Sequence, residues 1–474
     1  MKFAAAFLIA ALLALSVYRV ATGRFTLSRD APLVSPAPTV VTTKPTRKVL
    51  VVVLDGLRAD AVELVPSLRD RREHGAVASL EADLPTISAA QYTSLLTGAT
   101  PQTSGRRGND ALTPVKLDSV PDLVRRAGGR TAVFSDGVDW WWLLFPDAFD
   151  AREASLQFQP ALELARGGYD FVVVHLCAFD DAGHALGAAH PSYRVGAALQ
   201  VEWKLAALRA AWGDAGPVLV TSDHGHRDSG GHGGGEPEVT GTFALLDGPG
   251  VANDGRAKGR VIDVAPTLAA LMGLPAPSGS EGRTLTGLLE LGDDERRRIE
   301  AADVARIGPL LEQAERRRLG LEAGQDVSRA LRGGSALAVL LLVSALVRSQ
   351  RRAAATGFVA GLGALVLGCA AYFVFIGAVS PSSARGFALL VQYTALIGLI
   401  VGVLALLPVM RLREGRSHAL LAAAAGSSVL TVWMYTAFGI AAPRVSITSA
   451  WAIALPSLAW AGWAGVLAVL LLGT

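Results

Sequence analysis

Six of the eight histidines lie between His175 and His232, interleaved with aspartates in three short blocks. These are Asp180-Asp181-Ala182-Gly183-His184, Ser222-Asp223-His224-Gly225-His226 and Gly230-Gly231-His232-Gly233-Gly234. Carboxylate plus imidazole is the usual ligand mixture for zinc and similar divalent ions. Asp180 and His184 stand four apart, so on a helix they share a face and can reach one ion together. A single histidine is more often a solvated or hydrogen-bonded loop residue; three blocks together point to a metal site. Upstream, Leu84-Pro85-Thr86-Ile87-Ser88-Ala89-Ala90-Gln91 leads into a helical stretch ending at Gly98. A serine opening a helix is commonly an N-cap. The same geometry suits a nucleophile, because a helix N-terminus stabilises phosphate and a bound metal lowers the pKa of a hydroxyl.

These residues need a scaffold that brings them together. Apolar runs of five to seven residues alternate with helical stretches: VLVVVLD (49 to 55), TAVFSD (131 to 136), FVVVHLCAFD (171 to 180), PVLVTSD (217 to 223) and TFALLD (242 to 247). Continuous apolar strands separated by helices predict an α/β fold, a doubly wound and mostly parallel sheet covered on both faces. In such sheets ligands bind at the carboxyl ends of the strands, so Asp55, Asp180 and Asp223, each placed just after a run, can converge. The alternative for each is a turn former or helix cap.

The remaining chain reads differently. It has 474 residues, of which 51% are hydrophobic, and a mean hydropathy of +0.39, too apolar for one soluble domain. Residues 1–20 read as a signal peptide or signal anchor and 21–46 as a proline-rich linker. The catalytic domain is expected at 47–290, a charged helical linker at 291–332, and a membrane domain at 333–474. The last contains apolar segments at 333–347, 353–379, 387–410, 419–442 and 450–473, predicting a bundle of about five transmembrane helices. If all span together with residues 3–17, the arginines of 348–352 and 411–416 fall on the side of Lys2, which places the catalytic domain outside. Net charge is +3, from 44 basic and 41 acidic residues, with no polybasic face, so nucleic acid is not expected as a partner. The two cysteines, Cys177 and Cys369, fall in dissimilar settings and predict no structural disulfide.

Taken together, VVVLDGLRAD, PTISAAQYTSLLTG, HLCAFDDAGHALGAAHP and SDHGHRDSGGHGGGEPE resemble the alkaline phosphatase superfamily, in its type I phosphodiesterase and GPI ethanolamine phosphate transferase-like branch. Two blocks without ligands, GVDWWWLLFPDAF and VIDVAPTLAALMGLPAPSGSEG, also look like that branch. The resemblance covers roughly residues 47 to 285. It implies two divalent metal ions, Zn2+ or alternatively Mn2+, one held by Asp55, Asp223, His224 and the Ser88 oxygen, the other by Asp180, His184 and His232. It further implies that Ser88 attacks phosphorus, and that Gln91, one turn into the helix, either donates to a phosphate oxygen or is a surface residue. The branch usually has threonine where Ser88 stands and often histidine where Asp181 stands. His175, inside an apolar strand, reads as a hydrogen-bonded core residue, and Trp140, Trp141 and Trp142 as a lipid or glycan contact or as aromatic packing over the site.

The implied function is a membrane-anchored, two-metal transferase acting through a phospho-serine, moving an ethanolamine-phosphate type group from a phospholipid or other phosphodiester donor to an alcohol acceptor. Hydrolysis with water as acceptor, as in a nucleotide pyrophosphatase, is the alternative. A non-catalytic lipid-binding module is a third reading, and a sulfatase is disfavoured by the lack of a Cys- or Ser-x-Pro-x-Arg sequence at Ser88. The domain is expected on the periplasmic or luminal side of a multi-pass protein, with the bacterial inner membrane favoured over the endoplasmic reticulum.

Overall fold

The structure, a computed structural model, describes residues 32–109 and 112–346, with 352–353, 355–357, 359–360 and 419 beyond them. The chain divides into a unit of Leu27–Leu319 and a second unit of Met1–Thr26 with Gly320–Thr474. The candidate ligands and nucleophile all lie in the first unit.

Its centre is an eight-stranded sheet formed by β1 (Val49–Leu54), β2 (Ala76–Glu81), β3 (Thr131–Ser135), β4 (Ala151–Ala154), β5 (Phe171–Leu176), β6 (Val218–Thr221), β7 (Gly241–Asp247) and β8 (Arg256–Arg260), in the order β4-β3-β5-β1-β6-β7-β2-β8. The five expected runs are all strands. β7 departs from the parallel pattern, running antiparallel to both β6 and β2. Three strands escaped the sequence reading for a physical reason. β4 and β8 are the sheet's edges, and their sequences AREA and RAKGR are polar, as edges that must resist further pairing tend to be. β2 alternates buried and exposed residues instead of forming a continuous apolar run.

The helices used below are α1 (Pro66–His74), α2 (Ser88–Thr97), α3 (Val120–Arg126), α4 (Gln159–Arg166), α5 (Ala178–Leu186), α6 (Ala198–Trp212), α7 (Val264–Leu271) and α8 (Asp293–Leu346). Alternation along β1 divides the core in two. Val49, Val51 and Val53 pack with Leu95 and Leu96 of α2, Leu123 of α3 and Leu268 of α7. Leu50, Val52 and Leu54 pack on the other face with Leu68 of α1, Ala161 of α4 and Val201 and Leu205 of α6. Helices therefore cover both faces, and each fully buried Val or Leu contributes about 1.5–3 kcal/mol relative to exposure.

Register fixes the working edge. Leu54 pairs with Leu176 and Val53 with Thr221, so β1, β5 and β6 end level, and the residues that follow each strand emerge together.

Both segments flanking the catalytic domain pack on it within this unit. Leu33, Val34, Leu310 and Ala314 share a small buried cluster with Ala99 and Leu117. The Thr39 amide donates to Asp118 at 2.6 Å. On α8, Asp303 accepts from the Thr284 amide at 2.7 Å, and Arg306 donates to the carbonyls of Ser280 and Gly282. Among the described residues no helix is long and apolar enough to cross a membrane. The expected spans at 3–17, 387–410 and 450–473 lie outside those residues, as do most of 353–379 and all of 419–442 but its first residue.

Candidate functional site

Asp55 follows β1 directly, its amide bonded to the Leu176 carbonyl at 3.0 Å, and it is 3% exposed. Gly56 then turns the chain at φ +71°, and its amide donates to Asp223 Oδ1 at 3.1 Å. A Cβ at this position would lie 2.8 Å from the His226 ring and 3.0 Å from the Asp180 backbone, so glycine is required both by conformation and by space. Beyond β6, Asp223, His224 and His226 are fully buried. Beyond β5, α5 carries Asp180 and His184 one turn apart on a shared face, as the spacing predicts.

Ser88 is the first residue of α2, and Ile87 occupies the cap position without a side-chain cap. The serine hydroxyl is therefore not used as an N-cap. It faces His224 Nε2 at 3.3 Å. All ten residues of α2 are buried, and the helix closes at Gly98 in the left-handed conformation, where a Cβ would collide with Ser280. Asn109 accepts from the Ala89 amide at 3.0 Å and so finishes the N-terminal turn beside Ser88.

Two donor sets meet in front of this serine. In the first, His224 Nε2 lies 3.2 Å from Asp223 Oδ2 and 3.6 Å from Asp55 Oδ1. Both carboxylate oxygens are buried and have no hydrogen-bond donor. Burial and the neighbouring Asp55 hold the Asp223 carboxyl well above its ordinary range. Two acceptors left bare in a dry site are costly unless a cation occupies the space between them. The donor set thus fits a divalent ion.

The second set surrounds Asp180 Oδ1, with His226 Nε2 at 2.7 Å, His184 Nε2 at 3.3 Å and His232 Nε2 at 3.6 Å. Burial pushes the Asp180 carboxyl up, but hydrogen bonds from His184 and His226 outweigh it and hold the group well below its ordinary value. Desolvation and the nearby His224 push the His232 imidazole well down, toward the neutral form that binds metal. His232 Nδ1 meets the Thr86 carbonyl at 2.7 Å, which aims Nε2 at the site. Thr86 is itself stitched to the glycine loop, donating to Gly234 and accepting from Gly233. Ligand atoms of Asp180, His224, His226 and His232 lie within 4.8 Å of one another, as do those of Asp55, Asp223 and His224.

All seven expected ligand positions, Asp55, Ser88, Asp180, His184, Asp223, His224 and His232, are therefore brought to one edge. His226 joins them although the sequence reading gave it no metal role. The loop beyond β6 carries it past His224 and sets its Nε2 2.7 Å from Asp180 Oδ1, a contact that its place in the sequence does not record. The Gly183 of Asp-x-x-Gly-His is explained by the same residue: a Cβ there would fall 2.5 Å from the His226 ring.

Gln91 departs from expectation. It is neither a surface residue nor open to a phosphate oxygen. Its amide nitrogen donates to the carbonyls of Asp83 and Pro85, at 2.6 and 3.0 Å, and the side chain is completely buried. It ties the loop before Ser88 to α2. His175 is the hydrogen-bonded core residue expected: fully buried, with Nδ1 2.8 Å from Ser135 Oγ and Nε2 2.9 Å from Asp55 Oδ2. Tyr92 joins it, donating to Asp55 Oδ2 and lying 2.8 Å from His175 Nε2. Burial and Asp55 push the Tyr92 hydroxyl well up, so it keeps its proton as a donor. Trp141 is buried and stacks on Tyr92 at 4.4 Å, which makes it a packing residue behind the site. Asp181 is exposed. His190, also exposed, accepts from the Ser192 amide at 3.1 Å.

Comparison with known proteins bears out the resemblance read from the motifs. Residues 49–142 match the sequence model of the family "Type I phosphodiesterase / nucleotide pyrophosphatase". The chain is 28% identical over 246 residues to the catalytic subunit of GPI ethanolamine phosphate transferase 3 of Mus musculus, a match covering 48% of this chain and 22% of that protein. It is 27% identical over 276 residues to the catalytic subunit of GPI ethanolamine phosphate transferase 2 of Homo sapiens, covering 51% of this chain and 28% of that protein. The matches thus span about a quarter of the length of these relatives. Among solved structures, murine ectonucleotide pyrophosphatase / phosphodiesterase 5 in complex with AMP aligns over 48% of this chain and 96% of that one, with 15% identity and a TM-score of 0.43.

Proposed function

We propose that this chain is a phosphoester-acting enzyme of the alkaline phosphatase superfamily that transfers a phosphate-ester group through Ser88. The observation that carries the reading is the Ser88 hydroxyl, uncapped at the head of a buried helix and 3.3 Å from His224, facing carboxylate oxygens that lack donors. Asp55, Asp223 and His224, with the Ser88 oxygen, would hold one divalent ion, and Asp180, His184 and His232, joined by His226, a second. Such ions neutralise phosphoryl oxygens and favour the ionised serine.

The chain's own groups then perform an in-line displacement. Ser88 Oγ, its proton lost to solvent, would attack phosphorus as the bond to the donor's alkoxide breaks, the alkoxide leaving as the alcohol with a proton from solvent and a phospho-serine remaining. An acceptor alcohol or water attacks from the vacated side, the Oγ–P bond breaks, and Ser88 is restored. The α2 N-terminus, whose Ala89 amide is already taken by Asn109, would favour the negative charge through the helix dipole. Gln91 acts indirectly, by fixing the Asp83–Pro85 loop that leads into Ser88.

The names of the relatives favour transfer of an ethanolamine phosphate group; a phospholipid donor, and a membrane-anchored enzyme with its catalytic domain on the luminal or periplasmic face, are what the apolar segments of the sequence add to the proposal. The relatives named above are mammalian and lend no support to a bacterial inner membrane. Hydrolysis of a phosphodiester by water is the second reading, favoured by the family matched at residues 49–142.

Release of p-nitrophenol from a p-nitrophenyl phosphodiester by the detergent-purified chain tests the proposal. Turnover is expected to vanish with chelator and to fall at least about 10³-fold in Ser88→Ala. Full activity of that variant would sink the serine mechanism. Bound metal without turnover of the soluble diester would favour strict transfer to a dedicated acceptor.

A further inference from the structure

Ser88 and Tyr92 are four residues apart on α2, so the same face of one helix presents the nucleophile and, one turn deeper, a phenol bonded to Asp55. Asp55 is the carboxylate whose other oxygen stands in the first donor set. Its Oδ2 is taken by Tyr92 and by His175, the latter at 2.9 Å. Its Oδ1 is buried with no donor, and lies 3.6 Å from His224 Nε2. The two oxygens of one carboxylate are therefore in opposite conditions.

The support behind Oδ2 is itself locked. Ser135 at the end of β3 holds His175 Nδ1 at 2.8 Å, and Trp141 lies flat against the Tyr92 ring, 15° from parallel. Both supporting groups are fully or almost fully buried. They also meet each other, Tyr92 Oη lying 2.8 Å from His175 Nε2, and Cys177 Sγ lies 3.8 Å from His175 Nδ1, so the pair forms one network around Asp55 Oδ2. A carboxylate with both oxygens free can rotate, or chelate through two atoms; one with an oxygen tied can offer only the other.

We infer that Tyr92 and His175 are positioning residues that make Asp55 a one-oxygen ligand and, because Tyr92 rides on the helix of Ser88, tie the place of the first cation to the place of the nucleophile. This rests on the metal-assisted reading above. It adds a residue pair that touches neither the phosphoryl group nor the ion, and a direct mechanical link from the nucleophile helix to a proposed ligand just beyond the central strand.

The test is Zn2+ competition against a chromophoric chelator, using the full-length chain in detergent, for the wild type and Tyr92→Phe. The phenylalanine keeps the stack on Trp141 and removes only the hydroxyl. The expected result is an apparent Kd raised by about 10-fold or more, with the melting temperature in chelator close to the wild type and a smaller rise when Zn2+ is added. His175→Gln carries the same expectation through the other arm. A Tyr92→Phe chain that binds Zn2+ with wild-type affinity overturns the brace and leaves the proposed function standing. Wild type that binds no Zn2+ overturns both. If both variants lose stability equally with and without Zn2+, the network only holds the fold together, and the brace is overturned.

Discussion

At the scale of single residues, what distinguishes this site is how much of it is built from atoms with nothing else to do. Asp55 Oδ1 and Asp223 Oδ2 have no donors, and the Nδ1 atoms of His184 and His226 beside them are likewise unpartnered. Gly183 shows how tightly the remainder is packed. Gly183→Ala would drive a methyl into the His226 ring, which must then leave Asp180. We expect about 1–3 kcal/mol of lost stability, the usual cost of overpacking, together with a drop in metal content measured by elemental analysis. A similar loss of metal is expected for His226→Ala and none for His190→Ala, since His190 lies exposed at the end of the loop beyond α5. The candidate ligands were legible because carboxylates and imidazoles so dense in sequence have few other uses. His226 and Gln91 were not, because their roles depend on which neighbour a loop brings within reach. Gln91 offers an amide to any acceptor, and only the fold reveals that backbone carbonyls take it.

At the scale of elements, the apolar strands could be read directly, since a strand buried on both faces must be continuously hydrophobic. The edge strands and β2 could not, because polar or half-exposed strands resemble loops. Nor could the docking of residues 33 to 46. Proline-rich sequence has no side-chain pattern that records a partner, and this segment is held by Asp118, which accepts from the Thr39 amide and Ser278 Oγ and pairs with Arg126. Burial pushes the Asp118 carboxyl up, but the Arg126 and Thr39 hydrogen bonds prevail and hold it below the ordinary carboxylate value. A depressed folded pKa means that the stabilisation is present above the unfolded value and disappears as pH falls through the folded one. Asp118→Asn should therefore lose about 1 kcal/mol in chemical denaturation at neutral pH, and the difference from wild type should close below about pH 4. A constant difference down to pH 2 would contradict this account of the clasp.

At the scale of the whole unit, two buried carboxylate-bearing sets share one sheet edge, and a cation bound there binds only the folded chain. Chelation should accordingly lower the melting temperature, and readdition of Zn2+ should restore it in proportion to the logarithm of free ion concentration. Calorimetry with buffered Zn2+ measures this; a melting point indifferent to chelator would argue against a bound metal in the folded chain. The unit's extent, Leu27–Leu319, exceeds the reach of the recognisable motifs because the flanks are fixed by isolated contacts such as Asp303 to Thr284, which leave no repeat or periodicity in the sequence.

The order of the sheet has one more effect. β1 is the first strand to be made, yet its neighbours β5 and β6 begin at Phe171 and Val218, so the central strand waits for about half of the domain before it is paired on one side and longer still before it is paired on the other. Contacts so distant along the chain make for slow assembly with a late commitment step. The last ligand, His232, follows β6, and no earlier fragment holds both donor sets. Acquisition of the proposed metal would thus coincide with completion of the sheet, and a growing or truncated chain ending before Gly231 would have no finished trap in which to hold an ion.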